Sequence, residues 1–274
     1  MSLSEQLRYR EPLSDVDARS TLGFVGDIAE AKSAVKKMRS ELAELQEKLY
    51  ANGLSGDSLS ILLVLQGMDT SGKGGVIEKV AGSVNPQGVS ITSFKKPTEE
   101  EQAHDFLWRI NKALPQAGKI GVFDRSHYED VLIVRVHRLE SQGEIERRYE
   151  AINEFEKAYV ESGGTIIKCL LHVDKDIQKE RFASRLEDPE KLYKYRPGDL
   201  DERARWDEYT EAYQFVLDRC STDIAPWHVI PSGHKPYRNW AVGTLLLEAL
   251  RDLKLDWPAP NFDLEAEKQR VAEC

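Results

Sequence analysis

Gly67, Gly72 and Lys73 stand at the spacing G-x-x-x-x-G-K within the stretch LSILLVLQGMDTSGKGGVIEKV. Glycines in such a loop let consecutive backbone N–H groups converge on a phosphate, the start of a helix adds positive potential, and a lysine supplies a mobile full charge. The chemistry is phosphate binding, with Gly67, Met68, Asp69, Thr70, Ser71, Gly72, Lys73, Gly74 and Gly75 as the cradle. The residue after the lysine is usually a Ser or Thr whose hydroxyl holds Mg²⁺. Here it is Gly74, and Asp69 inside the loop is the nearest replacement ligand. A tight strand-to-helix turn would also use glycines, but it has no need of the lysine and the aspartate.

Asp124 and Arg125 form a second pair with chemical potential, delivered at the end of the apolar run KIGVFD. In phosphate-loop enzymes an acid at the end of a neighbouring strand reaches the metal beside the phosphates. An arginine next to it can neutralise charge on a transferring phosphoryl group. The competing reading is that Asp124 merely caps the following helix. Arg181 and Arg185 lie four apart and so share one helical face. The segment EDPEKLYKYRPGD that follows has prolines, a glycine and the basic residues Lys191, Lys194 and Arg196, the profile of a mobile basic lid or of a solvated connection. Lys95 and Lys96 sit at the exit of another apolar run and face the same ligand edge.

Periodicity shows which elements must position these residues. Residues 60–65 are apolar without a polar face, which suits a strand buried on both sides of a parallel sheet. Val76, Ile77 and Val80 then recur at helical spacing. Further strands are expected at residues 89–94, 119–124, 165–173 and 227–231. Helices are expected over 28–50, 127–138, 144–161, 175–186, 201–219 and 238–253, with another opened by the capping box of Thr98 and Glu101 and carrying Phe106, Leu107, Ile110 and Leu114. Strands alternating with helices imply an α/β domain with a parallel sheet. Val35, Met38, Leu42, Leu45 and Leu49 form one apolar stripe, which packs on its own domain or makes a seam between subunits. Residues 1–58 read as an arm and an amphipathic helix, 59–256 as the catalytic domain with a lid near 181–205, and 257–274 as a charged tail. The first 27 residues are expected to lie over the domain or to be partly disordered.

Composition excludes several classes. A chain of 274 residues with 41% hydrophobic and 31% charged residues can bury a core as one large domain. Its longest aliphatic run, residues 61–65, is too short to span a bilayer, and the polar start lacks the apolar core of a signal peptide, so a cytoplasmic protein is expected. A net charge of −9 argues against bulk binding of nucleic acid or an anionic membrane. The three cysteines, Cys169, Cys220 and Cys274, are widely spaced, expected to be reduced, and form no metal pattern.

The blocks GMDTSGKGG, SFKKPTEEEQAHDFLWR, FDRSHYEDVLIVRVH, RFASRLEDPEKLYKYRPGDLDERARWDEY and STDIAPWHVIPSGHKPYRNWAV, in that order between residues 59 and 253, together resemble the polyphosphate kinase 2 family. The resemblance implies a three-layer α/β/α P-loop kinase fold, thymidylate-kinase-like, with a central parallel sheet and a helical lid. It implies reversible phosphoryl transfer between inorganic polyphosphate and AMP or ADP, with GMP or GDP as further acceptors, dependent on Mg²⁺ or Mn²⁺, in a homo-oligomer. On this resemblance the metal falls to Asp69 and Asp124. The catalytic charges fall to Lys73, Arg125, Arg181 and Arg185; Lys95 and Lys194 are expected as further phosphate contacts from their place at the ligand edge alone. A Gly after the lysine is normal in this family. The loop and the acids would equally serve an ATP-dependent nucleotide kinase or a non-catalytic nucleotide-binding switch, and only the resemblance singles out polyphosphate.

Overall fold

The computed structural model describes residues 1–274. Its centre is a five-stranded, wholly parallel sheet of β1 (Ser60–Gln66), β2 (Val89–Ser93), β3 (Ile120–Asp124), β4 (Gly164–His172) and β5 (Trp227–Pro231), in the order β2-β3-β1-β4-β5. β1 is central and buried along its whole length, as its unbroken apolar sequence requires. The chain passes to opposite sides of β1 in its successive crossovers, so the crevice for ligands opens at the C-terminal end of this strand.

Twelve helices surround the sheet: α1 (Leu3–Leu7), α2 (Ile28–Leu54), α3 (Lys73–Lys79), α4 (Glu99–Gln102), α5 (Trp108–Ala113), α6 (Glu129–Val136), α7 (Gln142–Glu161), α8 (Lys175–Leu186), α9 (Gly198–Ala204), α10 (Trp206–Cys220), α11 (Lys235–Asp252) and α12 (Leu264–Ala272). Alternate residues of β1 feed two cores. Leu62 and Val64 pack with α6, α7 and α10, while Ile61, Leu63 and Leu65 pack with α2, α3 and α11. The fold is therefore three layers, helix on sheet on helix, as a P-loop kinase fold requires.

Several elements depart from the expectations, each for a local reason. The capping box of Thr98 and Glu101 forms, but its helix stops at Gln102; in the turn that follows the Asp105 carboxylate accepts from Leu107 N–H at 2.9 Å, and of the four apolar residues only Ile110 lies within the separate α5, with Leu107 and Leu114 at its ends. The helix expected over 201–219 breaks at Arg205 into α9 and α10. The stripe of Val35, Met38, Leu42, Leu45 and Leu49 is internal: Leu42 and Leu49 are fully buried against the layer that includes α11, which removes this stripe as a subunit seam. A charge at Leu42 would oppose folding itself rather than association. The tail is not without pattern in space. Asp263 caps α12, and Lys268 with Glu265 and Arg270 with Glu267 make pairs three apart, although none of its residues is buried.

The first 27 residues form an ordered arm: Leu3, Leu7, Leu13 and Ala18 are buried, the Glu248 carboxylate accepts from Leu3 and Ser4 N–H, and Tyr9 N–H donates to the Trp227 carbonyl at 2.8 Å. The arm thereby covers the β5 edge. His228, on β5 beneath it, is buried between Ser4 Oγ at 2.9 Å and the Lys168 carbonyl at 3.2 Å, and burial pushes its imidazole pKa down to about 4. The unfolded chain takes up this proton near its ordinary pKa of about 6.5, so the folded state binds fewer protons between the two values. Stability is full above that range and falls as pH drops through it, by about 3 kcal/mol from this group. Urea unfolding between pH 4 and 7 is expected to show that loss in the native chain and a flatter profile in His228→Gln. Equal slopes in the two proteins would remove His228 as the cause.

Candidate active site

The loop from Gly67 to Gly75 leaves β1 and enters α3. Gly67 has φ of 143°, and a Cβ there would lie 2.6 Å from the Leu171 carbonyl. Gly72 has φ of 108°, and a Cβ there would lie 1.8 Å from Arg238 Nη1. Neither position admits another residue without moving backbone or a buried guanidinium. Thr70 holds φ of 66°, a conformation that costs a non-glycine residue about 1–3 kcal/mol and is retained where surroundings enforce it. The enforcing groups are two arginines. Arg181 Nη1 donates to the carbonyls of Thr70 at 2.8 Å and Ser71 at 3.0 Å, and its Nη2 donates to those of Ser232 and Gly233. Arg238 Nη1 donates to Ser71 carbonyl at 3.2 Å. No carboxylate neutralises Arg238; burial and the Arg181 charge push its pKa down to about 9. A Cβ at Gly74 would meet nothing within 4 Å, so the missing hydroxyl reflects no lack of room.

Lys73 reaches back over the loop and donates to the Gly67 carbonyl at 2.7 Å. Burial, then the Arg125 charge, hold its pKa below the ordinary range, while Asp69, Asp124 and Glu129 pull the other way. Arg125 follows β3 with φ of 65° and points its guanidinium at Asp69, 3.2 Å away, and at Glu129, 3.7 Å away. Burial works against the charge of Arg125, but Glu129 and Asp69 more than offset it and its pKa is raised. Glu129 is pushed up by its burial and held back by Arg125 and Lys73. Asp124 ends β3 and accepts a long hydrogen bond of 3.4 Å from Ser93 Oγ. Two cations and three carboxylates thus converge at the end of β1 and β3.

Beside them opens a cavity of about 350 Å³. Gly67, Met68 and Asp69 form its floor, Arg125, Glu129 and Ile133 one wall, and the lid and α10 the other, through Arg196, Asp199, Glu202, Trp206 and Tyr209. Gln178 joins floor to lid: its amide donates to the Asp69 carbonyl at 3.1 Å and its oxygen accepts from Arg203 at 2.9 Å.

The structure brings Gly67, Met68, Asp69, Lys73, Asp124 and Arg125 together. Arg181 stands behind the loop, spending its donors on main-chain carbonyls. Arg185 faces the lid, donating to the Lys194 carbonyl at 3.1 Å with Asp199 3.9 Å away. Lys95 and Lys96 are exposed and line no part of the cavity. Sequence reading missed Glu129, Gln178, Arg203 and Arg238. Glu129 carried a signal, since it follows Arg125 by four residues at the start of a helix. Arg238 carried none, because α11 brings it to the loop from far along the chain.

Asp69 and Asp124 offer hard oxygen donors beside the loop, and no three His, Cys, Asp or Glu side chains form an all-protein metal cage. That donor set fits an ion that takes one or two carboxylates and completes its shell with phosphate oxygens and water.

Residues 27–257 match the family model described as Polyphosphate kinase 2, so the match takes in α2 as well as the stretch the motifs cover. The AMP/ADP-polyphosphate phosphotransferase of Meiothermus ruber is 44% identical over 252 residues, 92% of this chain and 93% of that protein. The ADP-polyphosphate phosphotransferase of Rhodopseudomonas palustris is 40% identical over 229 residues, 79% of this chain and 78% of the relative. The crystal structure of Polyphosphate Kinase 2 from Arthrobacter aurescens TC1 superimposes with a TM-score of 0.98 at 51% identity, covering 100% of this chain and 98% of that one. By sequence along nearly its whole length and by fold, this chain belongs to the polyphosphate kinase 2 family.

Proposed function

We propose that the protein transfers phosphoryl groups reversibly between inorganic polyphosphate and AMP or ADP, with two differently charged surfaces on either side of the phosphate loop. The observation that carries this reading is their separation. On one side lies the cavity with its mixture of acids, arginines and aromatic rings, of a size to hold a nucleotide. Outside the cavity lining, Lys235 has Arg181, Arg238, Lys191 and Arg185 as charged neighbours; partial burial, then their repulsion, hold its ammonium below the ordinary pKa range. Lys235, Lys191 and Arg185 would meet a polyanion directly, and the charges of Arg181 and Arg238, whose donors are turned to the loop carbonyls, add to the field there. The names of the relatives at 44% and 40% identity support the same pairing of donor and acceptor.

A terminal phosphate oxygen of the acceptor, held over Asp69 and Arg125, attacks the end phosphorus of the chain in line. The bond to the next bridging oxygen breaks, and a polyphosphate one unit shorter leaves. Lys73 and Arg125 balance charge on the phosphoryl group in flight. Asp69 and Asp124 would hold Mg²⁺ or Mn²⁺, which would supply positive charge to the phosphate oxygens. The lid closes over the reacting groups and keeps water out. We place the protein in the cytoplasm, away from nucleic acid and membrane: its net charge is −9 and no helix is long and apolar enough to cross a bilayer. The homo-oligomer implied by the resemblance uses a surface other than the buried stripe of α2.

The test is product analysis with polyphosphate, Mg²⁺ and either AMP or ADP, without ATP. ADP from AMP and ATP from ADP are expected, and neither in excess chelator. Turnover of a nucleoside monophosphate with ATP, and none with polyphosphate, would make the protein a conventional nucleotide kinase. Tight nucleotide binding without any product would make it a switch.

A further inference from the structure

Behind Arg125 lies a buried polar network that takes no direct part in the chemistry above. Lys168 of β4 is fully buried, and its ammonium donates to Glu156 Oε2 of α7 at 2.6 Å, to Tyr128 Oη at 2.9 Å and to the Cys220 carbonyl at 2.6 Å. Tyr128 Oη in turn donates to Glu156 Oε1 at 2.6 Å, and His127 Nε2 lies 3.2 Å from the same oxygen. Ser126, His127 and Tyr128 have no exposed surface at all. Ser126 Oγ accepts from the Gln66 amide at 3.1 Å and from Tyr128 N–H at 3.2 Å. Arg125 is thus followed by three clamped residues. On its other side its own N–H donates to the Leu65 carbonyl at 3.1 Å, so the segment is fixed at both ends of the positive φ.

The same lysine fixes a second wall. Cys220 is the last residue of α10, where helix carbonyls lack partners and a cation is favoured. The other end of α10 carries Trp206 and Tyr209 into the cavity, while α6, which starts at the clamp, carries Glu129 and Ile133. A buried ion pair is weak evidence of stabilisation, because desolvation offsets its attraction, but this one joins β4, α7, the end of α10 and the residue before α6 through directional hydrogen bonds, which sets their relative placement.

We infer that Lys168, Glu156 and Tyr128 are positioning residues for the transfer reaction, holding Arg125 in its left-handed conformation and setting the spacing of α6 and α10 across the acceptor cavity. The inference rests on the proposed role of Arg125. Tyr128→Phe removes one hydroxyl and keeps the Lys168–Glu156 pair, so it is expected to fold normally. It lowers kcat for polyphosphate plus ADP by about tenfold and leaves the polyphosphate KM within about twofold.

The discriminating measurement is a double-mutant cycle with Arg125→Ala. If Tyr128 acts through Arg125, the double variant is no slower than Arg125→Ala alone. Losses that multiply would overturn the inference and leave the network a purely structural one. Lys168→Met combined with Glu156→Gln, which leaves no unpaired buried charge, repeats the cycle through other residues and is expected to give the same non-additivity. Should the native protein transfer nothing from polyphosphate, the functional reading fails instead, and Arg125 and Tyr128 remain comparable by ADP affinity: no weaker in the double variant than in Arg125→Ala if Tyr128 acts through Arg125, additively weaker if not.

Discussion

Lys73→Ala is expected to lower phosphoryl transfer from polyphosphate to ADP by about a hundred- to a thousandfold, with the protein still folded. The ammonium sits on the loop carbonyl of Gly67, within the field of Asp69, Asp124 and Glu129, and Arg125 is its only cationic neighbour at the reacting centre. Charge on the transferring group is spread over its oxygens in the transition state, so a cation fixed there in advance acts at the moment of reaction without reorganisation. Removing it costs about 3–4 kcal/mol of that stabilisation. The fold does not depend on it, because Arg181 and Arg238 hold the loop from behind through its carbonyls. Initial rates with saturating substrates, beside a thermal unfolding curve, check both halves. Normal turnover in the folded variant would remove this loop from the reaction.

The loop and the pair at Asp124 and Arg125 were legible in the sequence because their signal is local: glycines, a lysine and an acid at fixed spacing, each at the end of an apolar run. The same locality made β1 and the alternation of strands and helices readable, and hence the parallel sheet between two helical layers. What escaped depends on partners distant along the chain. Arg181 was read as a lid charge on the face of a helix, yet nothing near it in the sequence shows that its donors go to Thr70, Ser71, Ser232 and Gly233. The stripe on α2 has the same heptad-like spacing whether α11 or a second subunit covers it, and only the fold decides for α11. The arm looked unpatterned because its buried residues, Leu3, Leu7, Leu13 and Ala18, pack on a neighbour one at a time rather than along a repeating face.

Reversing two charges behind the loop, Lys191→Glu with Lys235→Glu, is expected to raise the KM for polyphosphate by about a hundredfold and leave that for ADP within about twofold. Neither lysine lines the acceptor cavity, and both stand in the cluster with Arg181, Arg185 and Arg238. A hydrogen bond to a charged partner contributes about 1.5–3 kcal/mol, and replacing a cation by an anion removes that attraction and adds repulsion. Lys235 is exposed, and Lys191 is half-exposed and paired with Asp188, so each lysine falls at the lower end of that range, about 1.5 kcal/mol, and the two together give the hundredfold. The net charge of −9 does not cancel the cluster, since charges more than about 8–10 Å away are screened at physiological salt while the cluster lies against the ligand. Two further readings separate a polyanion track from a general effect on the fold. Polyphosphate KM in the native protein rises with salt and falls with chain length over the first several phosphates, and the reversed variant flattens both dependences. An unchanged polyphosphate KM in that variant would put the donor on another surface, whereas equal losses for polyphosphate and ADP would mean that the two substrates share the cavity.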